Sequence, residues 1–530
     1  LVALAIESFN GIAPKIDARR LADDMATVAQ NCVFDHNNLR PLKSPSLEGT
    51  TIPANTLSFY RYQNAWITSP SRLNGAPSPL ANDPFDRLYI STPAYPVVKS
   101  GADVFRLGLP RPITVTAVAS QVPDPDDAAQ LLTSETVFYA FSIVDGFGSE
   151  GPLSLPSEGI DRIRDTAVTI TFPANPVGAY NFSAAARKRI YRTNSGTTEA
   201  VWQFVADILL VTMVFEDIVL NEELGELAPS AEWIGPPDDD VAVWPDGPLQ
   251  GMVNIGNGVL AGFSGRSVYF CAPYLPHAWP LEYRITEKYP VLAIAPVTGG
   301  VLVVTLGKPF FISGVHPASM SVSRPETDLA GVNALSVVDM GEYAMFATTQ
   351  GLAMASGGEI TLVTKDLFDR DTWALYQPTT IIGGVQDGRY VGFYGSGETA
   401  AGFIFDPRGG KAAFTTTSVY SESVFQHPDG TLYIKQGTDI GKWDNGAMLT
   451  YKWKSKQFTV PEPVNFGWLE MLATPLAGQL TIFHGEASYS FVLTQQYHVL
   501  PEKDVTEKWI IQIEGTATVV LISLIEELGD

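Results

Sequence analysis

The sequence predicts an all-β chain: a β-propeller of about six blades, an inserted Ig- or fibronectin-like sandwich and a small C-terminal β-sandwich. Three observations predict it. First, 530 residues is more than one compact core holds at roughly 150 residues per domain. Second, 45% hydrophobic and only 17% charged residues, with 46 Gly and 38 Pro, fit many short strands joined by tight turns. That mix argues against coiled coil, helical repeats and disorder. Third, a strand–turn–strand unit recurs from about residue 250. Its turns are Asn257-Gly258, Gly299-Gly300, Met340-Gly341, Asp387-Gly388 and Asp429-Gly430, each followed by an apolar strand. The second glycines, or the one glycine of the pair, are spaced by 42, 41, 47 and 42 residues. Asn-Gly and Asp-Gly are hairpin turns, and a period of about 40 to 50 is that of a four-stranded propeller blade.

Along the chain, residues 1–50 read as an N-terminal arm with a short helix over Ala18 to Val28, where Leu21, Met25 and Val28 share a face. Residues 51–111 read as a first blade, from the strands Thr56 to Thr68 and Arg87 to Thr92 with Pro-rich turns between them. Strands from both chain ends then close the ring and hide its edges. Residues 112–235 hold strands at Val137 to Val144, Ala167 to Phe172, Arg189 to Thr193, Trp202 to Val205 and Val214 to Val219, the spacing of a sandwich. Residues 236–450 carry the remaining blades. Residues 451–530 lack the Gly-turn repeat and alternate through strands at 465–473, 478–484, 489–494, 508–513 and 517–525, a second, smaller sandwich.

The net charge is −23, and its distribution is uneven. Residues 112–250 hold 21 acidic and 6 basic residues, a net of −15. Such a surface repels phosphate, which excludes sequence-seeking DNA or RNA binding and an anionic-membrane footprint. Asp238-Asp239-Asp240 and Glu222-Glu223 read as solvated loop charge, with no alternating ligands for Ca²⁺. Cys32 and Cys271 make neither a disulfide scaffold nor a zinc site and read as buried thiols of a reducing cytoplasm. Leu1 to Ile6 is apolar with no basic residue before it, so no signal peptide is expected, and the missing initiator Met points to a few processed residues. No apolar run reaches the ~20 residues of a membrane span, so a soluble protein without a membrane anchor is expected.

Propellers include glycosidases, so paired carboxylates were sought. Asp366, Asp369 and Asp371, followed by Trp373, and Glu398 sit at expected blade ends, but their spacing marks no acid–nucleophile pair and they read as turn acids. Asp387 and Asp429 belong to hairpin turns. The histidines at 36, 277, 316, 427, 484 and 498 are scattered, with no two at metal-ligand spacing. Gly307-Lys308, Gly410-Lys411 and Gly441-Lys442 are each followed by a residue no phosphate loop uses. The cluster Pro273-Tyr274-Leu275-Pro276-His277-Ala278-Trp279-Pro280 reads as a rigid loop on its own blade, with a ligand pocket as the alternative. No catalytic, cofactor-binding or metal residue is assigned, no cofactor is implied, and the chain reads as a non-enzyme.

Ordered motifs resemble a phage virion family. They begin with Phe9-Asn10-Gly11-Ile12-Ala13-Pro14, Asp17, Ala29-Gln30-Asn31-Cys32 and Leu39-Arg40-Pro41-Leu42. They continue through Tyr139-Ala140-Phe141-Ser142, Ser149-Glu150-Gly151-Pro152, Pro156-Ser157-Glu158, Arg189-Ile190-Tyr191-Arg192-Thr193 and Leu224-Gly225-Glu226-Leu227. Tyr269-Phe270, His277-Ala278-Trp279-Pro280 and Tyr451-Lys452-Trp453-Lys454-Ser455-Lys456 complete the set. The set is similar to the tail nozzle proteins of short-tailed phages, also called tail tubular protein B. Cys271-Ala272-Pro273 departs from the Ser-Glu-Pro of that pattern, and the chain is short for a nozzle. The resemblance implies a virion protein assembled in the bacterial host cytoplasm. It implies a ring of six copies extending the DNA-ejection channel below portal and adaptor, beside tail fibres or spikes, through which DNA passes without specific binding. A receptor-binding or tail-tip adhesin of the same virion, and a propeller-type glycan-active enzyme, are the alternative readings.

Overall fold

The structure is a computed structural model that describes residues 3–195, 200–229, 233–408, 413–485, 487–501 and 505–526. It is mostly β. Among the described residues the α-helices are Ala128–Leu132 and Arg370–Ala374, five residues each. None is long and apolar enough to cross a membrane. The chain divides into two units, Leu1–Ser71 with Ala295–Ile312 and Val322–Asp530, and Arg72–Ile294 with Ser313–Ser321.

Within these units lie four-stranded antiparallel sheets of one pattern. In the first unit they are Val338–Asp339/Ala344–Ala347/Leu352–Ser356/Glu359–Leu362 and, as one end of a ten-stranded sheet, Ile382–Gln386/Arg389–Tyr394/Ala401–Asp406/Ala413–Thr417. The third, Val424–Gln426/Leu432–Gln436/Asp439–Lys442, takes its fourth strand, Ser46–Leu47, from the N-terminal region. In the second unit they are Asn74–Pro77/Leu88–Ser91/Val97–Ser100/Asp103–Arg106 and Gln250–Asn254/Leu260–Ser264/Ser267–Phe270/Ile285–Thr286. A further sheet is Val291–Val297/Gly300–Thr305/Phe310–Ser313/Ser321–Ser323.

All five repeat turns join the first strand of a sheet to its second. Asp387 and Gly388 show the reason: φ values of 50° and 71° at the two central residues are the hairpin conformation that Asp-Gly tolerates best. The second strands explain the apolar runs after each turn. Leu88–Ser91, Leu260–Ser264, Gly300–Thr305 and Ala344–Ala347 are buried along their whole length, so both faces select apolar or small residues and no alternation survives.

Residues 112–235 supply two three-stranded sheets, Thr116–Ala119/Val168–Thr171/Val214–Asp217 and Tyr139–Val144/Arg187–Ser195/Ala200–Leu209, and the pair Ser134–Val137/Ile160–Ile163. They share a core of Val115, Val137, Phe141, Ile143, Val168, Ile170, Phe172 and Ile190.

Three sequence expectations need correction. No helix forms over Ala18 to Val28: the chain turns through this stretch and then enters the strand Ala26–Gln30. An isolated helix of so few residues is marginal, and the strand instead gains two partners, antiparallel to Tyr451–Ser455 and, at Gln30, parallel to Thr416. Nor is residues 1–50 an arm. Ala3–Ile6 pairs with Thr518–Ile525, and Cys32–Asp35 and Asn38–Pro41 extend the same sheet. Ala26–Gln30 joins the sheet ending at Ala413–Thr417 to Tyr451–Ser455, Thr506–Gly515, Gln479–His484 and Ala487–Val492. The expected first blade also divides. The hairpin Ser58–Tyr62/Ala65–Ser69 is a sheet of its own, its Phe59 and Trp66 packed with Phe425 and Tyr433, whereas residues 74–106 form the separate four-stranded sheet.

Gly11 marks the tightest approach at the inserted strand. A Cβ there would lie 2.2 Å from the Phe414 carbonyl oxygen, which accepts the Ile12 N–H at 2.9 Å. Backbone cannot yield as a flexible side chain can, so Gly11→Ala is expected to lower stability by about 2–4 kcal/mol. Urea midpoints of the two proteins measure this. An unchanged midpoint would show that the Phe414 backbone is free to move.

Candidate functional site

The polar groups the sequence singles out converge on the strand Arg187–Ser195 of the second unit. Its side chains alternate between faces, and each face meets its own carboxylate. On one face Arg189 Nη1 donates to Glu150 Oε2 at 2.8 Å, and Tyr191 OH donates to Glu150 Oε1 at 2.7 Å. Ser142 Oγ donates to the same Oε1 at 2.6 Å, and Arg189 also forks onto Asp207 through two bonds of 2.9 Å. On the other face Arg192 Nη1 reaches Asp217 Oδ2 at 2.5 Å, with both residues wholly buried, and Tyr139 OH donates to that oxygen at 2.7 Å. Arg192 continues to the Val219 carbonyl and to Asn221 Oδ1, which Arg162 also reaches. Arg162 in turn bridges to Glu135 at 2.8 Å.

The Glu150 carbonyl extends the network. It faces His277 Nε2 at 2.9 Å, and since a carbonyl only accepts, Nε2 carries the proton. Burial holds His277 neutral, its pKa lowered to about 4. Asp145, two residues beyond Ile143, goes the other way: burial raises it to about 6 despite the Ser149 and Phe147 N–H groups it accepts. The loop around His277 is packed: Trp279 is buried and donates from Nε1 to the Pro276 carbonyl at 2.9 Å, and Tyr274 N donates to the Gly258 carbonyl of its own sheet's turn. Cys271 is also buried there, and its sulfur accepts the Leu260 N–H at 3.0 Å. Burial pushes this thiol up to about 12, and Cys32 up as well.

Motifs of the first unit meet in the same manner. Trp453 Nε1 donates to the Asn10 carbonyl at 3.1 Å, and Phe9 packs edge-on against the Trp453 ring. Asn31 Oδ1 accepts from Thr417 Oγ1, Ser418 N and Ser418 Oγ, while its Nδ2 donates to the Thr450 carbonyl. Arg40 joins Asp35 to Asp444, and Arg389 joins Asp35 to Asp406. Burial raises the Asp35 carboxyl, but the Arg389 and Arg40 guanidiniums outweigh it and hold it below the usual range.

The acids considered for catalysis are not brought together in this way. Asp369 caps the helix Arg370–Ala374 through a reciprocal box with Thr372, whose N–H bond lowers its pKa. Asp366, Asp371 and Glu398 are exposed, and Trp373 is buried, donating to the Thr348 carbonyl. Asp429 accepts the Thr431 N–H inside its turn and is lowered to about 2. His36 lies in an exposed turn, His316 caps Pro317–Ser319, and His484 and His498 are buried among aromatic rings. Gly410-Lys411 lies outside the described residues.

One cleft was not legible in the sequence. About 650 Å³ in volume, it is lined by residues 106–111, 234–236, Tyr180, Asp238, Asp239, Asp240 and Trp244 among others. Arg106 forms its charged wall, bonded to Asp238 and Asp239 at 2.8 and 2.5 Å and stacked 4.1 Å from the Tyr95 ring centre. Two of the triplet carboxylates thus share one guanidinium from over 130 positions away, while Asp239 and Asp240 are exposed as expected. Glu222 and Glu223 are exposed as expected.

Arg192→Met leaves Asp217 buried without its cation and is expected to destabilise the protein by about 3–5 kcal/mol. Adding Asp217→Asn removes the stranded charge and is expected to recover at least half, which chemical denaturation of both variants measures. His277 gives a pH signature. Its folded pKa lies below the unfolded ~6.5, so its stabilising contribution is full above pH 6.5 and is lost as pH falls toward 4. Wild type minus His277→Gln should therefore lose about 2 kcal/mol of stability difference between pH 7 and pH 5. A difference that does not vary with pH would mean that the imidazole stays accessible to protons.

No protein-family model matches the chain, and no curated protein matches it. Among solved structures the chain is similar to a streptogramin B lyase at 8% identity and a TM-score of 0.28, over 76% of this chain and 96% of that one. It is similar to the N-terminal domain of Nup159 at 10% identity and a TM-score of 0.24, over 61% and 86%. It is also similar to PorZ, a surface component of the type-IX secretion system of Porphyromonas gingivalis, at 10% identity and a TM-score of 0.27, over 91% and 89%. Likenesses this distant carry no argument about function.

Proposed function

We propose that the chain is a structural component of a short-tailed phage tail, a ring-forming nozzle or tail-tube protein that extends the DNA-ejection channel. On this reading the six four-stranded sheets are the blades of one propeller, closed by Ser46–Leu47, and residues 112–235 are its inserted sandwich. The ring is a hexamer in the virion, meeting an adaptor above and fibres or spikes beside it.

The observation that carries the reading is the disposition of charge in the acidic segment. Three of its cations, Arg162, Lys188 and Arg192, are fully buried, the two arginines on carboxylates and Lys188 on the Leu210 and Thr212 carbonyls, whereas Arg164 is exposed and Arg187 and Arg189 are half-buried. Asp124, Asp126, Glu158, Glu222, Glu223 and Glu226 are exposed. Burial takes Asp145, Glu150 and Asp217 out of the surface along with these three cations, so the excess of acidic over basic residues is undiminished outside, and such a wall lets DNA pass without holding it. The order of the motifs supports the same family, since nearly all of them build packing or polar joints of the fold rather than an isolated reactive group.

The cleft beside Arg106 favours a second reading, a tail adhesin. Aromatic rings of Tyr180 and Trp244 beside carboxylates and a guanidinium are the groups that hold sugars by stacking and hydrogen bonding. Negative-stain microscopy of the purified protein separates the two. A six-fold ring with an open channel is the expected image; a trimer that binds host-surface glycan on an array would replace the nozzle reading with the adhesin. Firm retention on a DNA column at low salt, by contrast, would remove the charge argument.

A further inference from the structure

One C-terminal sheet ends on an edge that the described residues leave unguarded. Ala487–Val492 is the last strand of its sheet, paired on one side to Gln479–His484. Among the described residues no backbone hydrogen bond reaches it from the other side. The register and the bond from Leu493 N to the Gly478 carbonyl fix which groups point where. Ala487, Tyr489 and Phe491 direct their N–H and C=O groups to the neighbouring strand. Ser488, Ser490 and Val492 direct theirs outward, three donors and three acceptors in a row.

Natural edges are protected by charges, proline or a bulge. Here none of these is present. The whole stretch 479–500 holds one charged residue, Glu486, in a chain that is 17% charged, and no proline. The strand pairing is regular throughout. On the inner face Tyr489 and Phe491 are half-buried against the core, and on the outer face Ser488, Ser490 and Val492 are exposed.

We propose that this edge pairs with the same edge of a second copy of the chain, antiparallel about Ser490. Two features of the strand select a copy of itself. Centred on Ser490, the pairing sets Ser490 opposite Ser490 and Ser488 opposite Val492, so that all the outward groups of both strands are matched in hydrogen-bonded pairs. The same register sets Tyr489 opposite Phe491 at a non-hydrogen-bonded pair, where cross-strand side chains lie closest, and completes the half-buried aromatic row on the inner face. Charge is the third consideration. Two copies of a −23 chain repel, but the two strands nearest the contact, Gln479–His484 and Ala487–Val492, carry no charged side chain between them. The next strand inward, Thr506–Gly515, lies about 24 Å from its counterpart across the seam, more than twice the ~10 Å screening length at 0.1 M salt. A six-residue seam is small against the roughly 1,200–2,000 Å² of stable complexes, so the dimer is concentration-dependent.

The contact is two-fold, whereas a closed ring of six is built head to tail, so it does not rest on the tail reading. The test uses the full chain with Ser490→Cys and Ser488→Cys, both at exposed outer-face positions, and with the buried Cys32 and Cys271 left in place. Directly opposed residues have Cα atoms about 5.5 Å apart, within disulfide reach, whereas Ser488 would face Val492 and stand well beyond it. Mild oxidation should link Ser490→Cys into dimers with a 490–490 peptide and leave Ser488→Cys monomeric. Sedimentation velocity should show the wild type moving from monomer to dimer with concentration, and Ser490→Lys weakening that step by roughly tenfold or more by opposing two cations. A wild type that stays monomeric outside any ring overturns the proposal, as does equal cross-linking of both cysteine variants or an unaffected Ser490→Lys. Rings lacking the 490–490 link overturn this contact alone; linked dimers that never form rings overturn the tail reading alone.

Discussion

The first unit depends on one strand insertion. Ala26–Gln30 lies between Ala413–Thr417 and Tyr451–Ser455, and without it the sheet of residues 382–417 and the C-terminal sheets would each end in unpaired backbone. Asn31 locks the insertion. Its side chain accepts three bonds from Thr417 and Ser418 and donates one to Thr450, while its N–H donates to the Thr416 carbonyl and its carbonyl accepts the Leu42 N–H. A side-chain amide satisfied so fully in a sheet junction fixes register as well as energy, because a one-residue slip would strand every one of those groups. The Asp35–Arg389–Asp406 ladder and the Ser46–Leu47 strand then tie the following residues to the same sheets.

In the second unit the organising element is the strand Arg187–Ser195, and the logic is different. A two-faced strand with a basic residue on each face needs a carboxylate on each side, and Glu150 and Asp217 supply them. Buried ion pairs of this kind add little net stability, but they make every mispacked alternative costly, since each leaves a charge unpaired. The family-like motifs at 139–142, 149–152, 189–193 and 277–280 all contribute a group or a backbone atom to these joints. They therefore speak to the fold, and what the joints leave outside is a surface on which acidic residues outnumber basic ones.

Much of this was legible in the sequence because it follows from local rules. The glycine-containing turns of the repeat specify hairpins locally, so the repeat lands on the same turn of successive sheets, and the C-terminal strands fall within a few residues of the alternation that suggests them. The misread stretch has an equally local cause. Over eleven residues, Leu21, Met25 and Val28 fit a helical face, but the partner that makes a strand of 26–30 lies more than 400 positions away, and no local pattern contains it. Arg106 and the triplet at 238–240 fail to announce each other for the same reason. The split of residues 51–111 is subtler: both halves read correctly as strands, and only tertiary pairing assigns them to different sheets.

Burial constrains how the strands of these sheets can move. The second strand of the sheets at 88–91, 260–264, 300–305 and 344–347 has no exposed residue to act as a sliding face. Close-packed interiors resist small displacements, and shifting a strand by one residue would carry its apolar set against its neighbours' backbone. The short helix Ala128–Leu132 differs from these sheets: it buries none of its residues, and Leu131 and Leu132 stand exposed beside Asp124, Asp126 and Asp127.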